Sequence, residues 1–383
     1  MNFSIIAKSK LPMDFINELN HDFTERNIDK ILTGMSEERY TTFRANYLKS
    51  NEAEVEDELI KNDVKFEKIK IFQSESRMES KTEIKNNLDN IFYVYVVYNK
   101  NEKDLSNLKI YRDGKIYIQS ISSMIPPIIL NPQPGEMVLD IASAPGSKTT
   151  QMATMMNNEG YILANEIDKF RCEKLKYNVE KQGTSIVHII NKDGTKLFND
   201  IQNDNNIIVK EFDRILVDAP CSGEGRFIVS NKKTYEYWSL KMQNELVHIQ
   251  KKLISNAINL CKINGTILYS TCALSMEENE KVIDWAIKNY NIEIEKIKIN
   301  FSIEKNTENK LNDDLTQIGK LAKSKDLELN NGMIIKGNKK GLNEKVENTI
   351  KILPNKFLEG FYVAKIKKLR IKLLIRSLEL CSY

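Results

Sequence analysis

Two stretches of this sequence combine reactive side chains with a preceding apolar run: Asp218-Ala219-Pro220-Cys221-Ser222-Gly223-Glu224-Gly225 and Ser270-Thr271-Cys272. Phe212 to Val217 leads into the first and Thr266 to Tyr269 into the second, both with strand composition. One carboxyl group and two thiols are therefore expected at the carboxyl ends of two strands, the edge where open α/β sheets bind ligands. A thiolate suits reversible addition to carbon 6 of a cytosine, which makes carbon 5 nucleophilic. Asp218 suits delivery of a proton or hydrogen bond to ring nitrogen 3. The second thiol can assist loss of the carbon 5 proton and expulsion of the first. Cys172 and Cys261 fall in helical stretches and read as small apolar filler.

The elements that must position these residues alternate in type. Val138 to Ala142 reads as a strand, Lys148 to Met156 as a helix, Tyr161 to Ile167 as a strand, Lys169 to Lys181 as a helix and Ile186 to Ile190 as a strand. The Phe212 strand follows, then a helix over Leu246 to Leu260, a strand over Gly265 to Ser270 and a helix from Met276. Ser275 with Glu278 predicts a capping box for that last helix. The fold class is α/β, with a mostly parallel sheet covered on both faces.

Before this lies a smaller α+β unit, residues 1–115, with a helical bundle over Leu11 to Asp63, a stretch with Arg44, Asn46 and Tyr47, and apolar alternating segments near Ile91 to Val97 and Ile110 to Ile118. Gln119 to Met124, followed by a Pro-rich turn, reads as a linker and the first helix of the next domain, and 116–370 as the second domain. The Asn- and Lys-rich stretch 301–350 lacks periodicity and is expected to be a mobile insertion. Phe357 to Ile366 regains strand character, and 371–383 continues a basic tail that reads first as a solvated face and second as an RNA-gripping patch.

Composition narrows the class without choosing within it. A net charge of +4 permits a polyanionic partner but is far from a dedicated nucleic-acid coat. Five widely spaced cysteines, with no C-x-x-C pair and three histidines, speak against a disulfide framework and against any metal site. No apolar run is long enough to span a membrane and the first ten residues lack a signal-peptide core. A soluble cytoplasmic monomer is expected.

Asp140-Ile141-Ala142-Ser143-Ala144-Pro145-Gly146-Ser147-Lys148-Thr149 leaves the first strand of the second domain through small residues, which let backbone approach a nucleotide or an adenosyl compound. A P-loop needs Gly where Ser147 and Ala142 stand, and a dinucleotide fingerprint needs Gly where Ala144 stands. Glu166, closing the next strand, can accept bonds from ribose hydroxyls, and Asp193, after the third, from an adenine amino group.

These motifs together resemble the Sun/Fmu type of RNA cytosine-5 methyltransferases. The likeness rests on Leu139-Asp140-x-x-x-Ala144-Pro145-Gly146-x-Lys148-Thr149, on Asp218 to Gly223, and on Ser270-Thr271-Cys272 followed by Glu277-Glu278-Asn279-Glu280; it covers about Ile118 to Lys368. The resemblance implies a Rossmann-like S-adenosylmethionine-dependent methyltransferase sheet. It implies Cys272 as nucleophile, Asp218 at the ring and Cys221 in product release. For S-adenosylmethionine it implies Ala142, Ser143, Ala144, Pro145, Gly146, Ser147, Lys148, Glu166, Arg171, Asp193 and Asp218, and it sets Gln119, Ser122 and Ser123 beside the active site. Ala142, Ser143 and Ser147 depart from the common Cys-Ala-Ala-Pro-Gly-Gly, and Ala273 stands where Ser is usual. rRNA is the expected substrate, ahead of tRNA, with a non-catalytic RNA-binding assembly factor as the rival class. The paired cysteines disfavour DNA cytosine methylation, and Cys221 stands where an amino-group methylase would carry an aromatic residue.

Overall fold

The structure, a computed structural model, describes residues 3–73, 91–304 and 333–370. Two sheets organise them. The smaller is antiparallel, with β1 (Thr41–Ala45), β2 (Phe66–Gln73), β3 (Ile91–Val97) and β4 (Ile116–Ile118); its outer strand β11 (Ile299–Glu304) arrives from far along the chain, in the order β11-β2-β3-β1-β4. α1 (Phe3–Lys10), α2 (Met13–Asp22) and α3 (Glu25–Ser36) precede it, and α4 (Glu52–Lys61), α5 (Glu102–Ser106) and α6 (Lys109–Arg112) connect its strands.

α7 (Ile121–Leu130) leads into the larger sheet, whose first part alternates β5 (Met137–Asp140), α8 (Ser147–Met155), β6 (Tyr161–Asn165), α9 (Lys169–Gln182) and β7 (Val187–Ile190). α10 (Leu197–Asn203), β8 (Phe212–Asp218), α11 (Leu240–Leu260), β9 (Cys261–Thr271) and α12 (Glu280–Asn289) follow. β10 (Ile292–Glu295), β12 (Ile334–Lys336), β13 (Ile350–Ile352) and β14 (Phe361–Lys368) complete it. The order is β12-β13-β14-β9-β8-β5-β6-β7, with β10 on β14. β7, β6, β5, β8 and β9 are parallel neighbours, while β14 runs antiparallel to β9. From β5 the chain winds outward through β6 and β7, then returns to the other side for β8 and β9. That reversal opens a crevice at the strand ends. None of the helices among the described residues is long and apolar enough to cross a membrane.

Local chemistry sets the helix boundaries. Asp168 accepts from the Arg171 amide at the start of α9, and Gly183 ends it in the left-handed region. α7 begins on Ser120, which accepts from the Ser123 amide, and ends at Asn131 with φ 50°. Where a Pro-rich turn was expected, Pro126 and Pro127 lie inside this helix, held by burial of nearly the whole segment against both sheets. Gly114, at φ 74°, breaks the strand expected over Ile110 to Ile118 into α6 and the short β4.

The expectation of one mobile insertion over 301–350 also changes. Phe301 enters the smaller sheet, Phe301 facing Ile71, and Ile350 pairs with Val363 in the larger. Alternating apolar residues too few to signal a strand find ready-made edges to extend. Most of the basic tail, like Cys381, lies outside the described residues.

Several contacts fasten the N-terminal elements to the larger sheet, among them one apolar and one polar cluster. Phe15, Ile31 and Leu32 pack on Phe227, Tyr235 and Trp238, with the Phe15 and Phe227 rings 5.1 Å apart. Arg44, fully buried on β1, donates to Gln119 Oε1 at 3.0 Å, to Thr150 Oγ1 at 2.8 Å and to the Ser147 carbonyl at 3.2 Å. It therefore reaches the first turn of α8. Arg44→Ala leaves those acceptors unpaired, and a loss of about 2 to 3 kcal/mol is expected in urea denaturation.

Candidate active site

Parallel pairing sets Asp218 of β8 opposite Ser270 of β9. The Ala219 amide donates to the Ser270 carbonyl at 2.9 Å and the Gly225 amide to the Cys272 carbonyl at 2.8 Å, so the two loops run side by side. Cys221 Sγ lies 3.2 Å from Cys272 Sγ. A Cβ on Gly225 would sit 2.0 Å from the Gly360 carbonyl oxygen, so only glycine lets this turn press against the segment entering β14.

Asp218 is held on both oxygens. Ser270 Oγ donates to Oδ1 and Lys148 Nζ to Oδ2, each at 2.7 Å. The ammonium also donates to Ser123 Oγ at 2.8 Å. Lys148, expected as part of the cofactor loop, thus reaches across to the acid at the reacting end. Cys221 is pushed well above the ordinary thiol range, first by its hydrogen bond with Cys272 and then by burial.

A cleft of about 1300 Å³ runs from these thiols along the strand ends. Ala142, Ser143, Ala144, Pro145, Ser147 and Lys148 line it; Gly146, at φ 103°, packs toward Leu175 instead. Glu166 is buried, accepting from the Ala144 amide at 3.2 Å and the Asp168 amide at 2.9 Å, with Arg171 Nη1 3.7 Å away. Arg171 also donates to the Ala144 carbonyl at 2.6 Å, tying the loop to α9. Asp193 Oδ1 accepts from the amide and hydroxyl of Thr195, while the residue still lines the cleft. Gln119 and Ser123 line it too, whereas Ser122 is fully buried and donates to the Glu359 carbonyl.

Two acids have parts that the sequence reading missed. Asp140 closes β5 fully buried; its Oδ2 accepts from Thr149 Oγ1 at 2.7 Å and its Oδ1 has no partner. Burial, with Asp218 nearby, pushes it up to about 7. Its signal was an acid ending an apolar strand before a small-residue loop. Glu278 does not form the expected capping box: Ser275 Oγ accepts from the Glu277 amide, α12 starts only at Glu280, and the Glu278 carboxylate turns inward to Ser222. The Ser222 backbone and hydroxyl outbid a helix end because they lie in the buried interior.

Comparison with known proteins places the chain. Residues 127–367 match the family model described as 16S rRNA methyltransferase RsmB/F. A tRNA (cytosine(49)-C(5))-methyltransferase of Pyrococcus abyssi is 35% identical over 261 residues, 68% of this chain and 72% of that protein. The ribosomal RNA small subunit methyltransferase F of Klebsiella pneumoniae is 41% identical over 180 residues, and there the match spans only 36% of the relative's length. A methyltransferase homolog from Pyrococcus horikoshii shares the fold, with TM-score 0.68 over 96% of this chain and 98% of that one at 24% identity.

Two outcomes test this geometry. With Cys381 replaced by Ser, iodoacetamide at pH 8 should modify Cys272 in the folded protein, while peptide mass mapping finds Cys172, Cys221 and Cys261 largely unmodified; Cys172 and Cys261 are buried, Cys221 is held well above the ordinary thiol range, and burial pushes Cys261 up to about 12. Glu18 is pushed up to about 8, and Asp140 and Glu278 to about 7, mainly by burial. The unfolded chain releases these protons near pH 4, so the stability they contribute is complete below about pH 4 and is lost as pH rises through 7 to 8. The urea midpoint should fall between pH 6 and 8.5, and less steeply in Glu18→Gln.

Proposed function

This chain belongs to the RsmB/F family of RNA cytosine-5 methyltransferases, and on that premise we propose that it methylates carbon 5 of a cytosine in structured RNA through a covalent thiol adduct. The observation that carries the reading is the pair of thiols 3.2 Å apart beside the Lys148 and Asp218 ion pair, where the cleft meets the strand ends.

When bound, S-adenosylmethionine supplies a methyl group on a positively charged sulfur. The residues fit it. Ala142, Ser143 and Ala144 leave backbone open to a ligand; Glu166 suits ribose hydroxyls beside Arg171; Asp193 suits the adenine amino group. The unpartnered, buried Asp140 Oδ1 offers an acceptor to an ammonium group.

Cys272 is the nucleophile. Its sulfur, as thiolate, adds to carbon 6, the carbon 5 to carbon 6 π pair shifts into the ring, and the negative charge that develops is met by the Lys148 ammonium, which Asp218 holds in place while its carboxylate accepts from the cytosine amino group. In the release step the proton on carbon 5 leaves to solvent and its bonding pair rebuilds the carbon 5 to carbon 6 double bond. The carbon 6 to sulfur pair returns to Cys272, and Cys221 hydrogen-bonds that sulfur as it departs. Target cytosines in loops or remodelled regions are favoured, because extrusion of a paired base costs a few kcal/mol.

rRNA is the proposed substrate class, supported by the family model. tRNA is the second reading, favoured by the Pyrococcus abyssi relative, of which 72% is matched. The unit 1–115, joined in its sheet by β4 and β11, is proposed to position the RNA, since Lys103 and Tyr111 line the same cleft. All the proposed groups lie in one chain, which supports a monomer, and the cytoplasm is its proposed compartment.

Labelled methyl transfer to total RNA from cells lacking the protein, followed by nucleoside analysis and mapping, is the test. 5-Methylcytidine at one rRNA position is expected; a tRNA position selects the second reading, and no label with S-adenosylmethionine bound selects the assembly factor. Cys272→Ala should lose transfer by at least about a thousandfold. Cys221→Ala should accumulate a covalent RNA adduct, resolved on denaturing gels.

A further inference from the structure

We infer that Glu278 is a positioning residue for Cys221, holding its sulfur against that of Cys272 and thereby setting the rate at which the RNA adduct breaks down; this rests on the function proposed above. Cys221 sits between β8 and the short helical turn Glu224–Arg226, in a loop with no strand or helix of its own. The residues on either side of it are gripped from one place. The Ser222 amide donates to Glu278 Oε1 at 3.0 Å, and the Ser222 hydroxyl donates to the other carboxylate oxygen. Gln250 Nε2 donates to the Pro220 carbonyl at 2.9 Å and to Glu278 Oε1 at 2.8 Å. Both flanks of the cysteine are therefore fastened by one carboxylate and the amide bonded to it.

The same residue is anchored to the other thiol's strand. Tyr269 of β9, three residues before Cys272, donates its hydroxyl to the Glu278 carbonyl at 2.6 Å. The chain from Cys272 back through Tyr269 to Glu278, and on through Ser222 to Cys221, closes on itself at the 3.2 Å contact between the sulfurs. Its weakest link without Glu278 is the loop.

Nothing in packing alone calls for a carboxylate here. Glu278 and Gln250 are both fully buried, and burying an acid is costly compared with an apolar group of the same shape. Once ionised, above about pH 7, the acid provides two acceptors in a fixed plane, matched to the amide and the hydroxyl of one residue. A glutamine cannot supply two acceptors, because one of its two terminal atoms is a donor.

Three proteins decide the matter: Glu278→Gln, Gln250→Leu as the variant that leaves the carboxylate in place, and Cys221→Ala. Phenylarsine oxide, which must bond two thiols at once, probes the pair without RNA. Its affinity should fall about tenfold in Glu278→Gln, in line with one lost hydrogen bond to a charged group. Binding of S-adenosylmethionine, measured by calorimetry, should stay within about twofold. With total RNA from cells lacking the protein, Glu278→Gln and Gln250→Leu should form the adduct but clear it about tenfold more slowly than the unaltered chain. The double variant Glu278→Gln with Cys221→Ala should clear it no more slowly than Cys221→Ala alone.

Unchanged phenylarsine oxide affinity in both Glu278→Gln and Gln250→Leu overturns the inference, as does additivity in the double variant. Failure of the function itself is distinct: transfer would then survive Cys272→Ala, while the arsenical measurement would still report on the thiol pair.

Discussion

The register between β8 and β9 is the constraint on which the site depends. Setting Asp218 opposite Ser270 brings two loops off adjacent parallel strands at the same height, and each carries its cysteine two or three residues beyond the paired position. A slip of one residue would turn Asp218 and Ser270 to the other face and separate the thiols. The register is secured by burial: Ile215, Leu216 and Val217 on β8 and Ile267, Leu268 and Tyr269 on β9 are all buried between helical layers.

Around that pairing the molecule keeps a set of buried acids with distinct employment. Glu224 accepts from Trp238 Nε1 and from the amides of Leu274 and Ser275, joining the N-terminal helices' packing surface to the loop after Cys272. Glu280 pairs with the buried Lys351 at 3.0 Å, linking α12 to β13. Glu278 lies between the two cysteine loops. Each is satisfied by donors from segments that no single element could align, which offsets the cost of burying an acid. The loops are thus fixed by long-range polar contacts that rigid strands make possible.

The N-terminal elements are part of the same construction. Arg44 joins β1 to the first turn of α8, just beyond the small-residue loop, and Gln119 and Gln151 continue the hydrogen-bonded chain. β11 and β13 lie close to the two ends of the stretch expected to be unstructured, one in each sheet. The smaller sheet is therefore tied to the larger at several points.

Much of this was legible in the residues themselves. The alternation of apolar strands with amphipathic helices specifies a parallel sheet, because side-chain periodicity is a local property of the chain. The small-residue loop after β5 and the thiols after β8 and β9 are local too, and their meeting follows from the winding rule for such sheets. What only the tertiary structure decided are the partners that lie far apart in sequence: Lys148 on Asp218, Glu278 on Ser222 instead of its own helix end, and Phe301 opposite Ile71. A carboxylate's choice among donors is settled by which of them burial leaves without water, and burial is defined only once the sheets have packed.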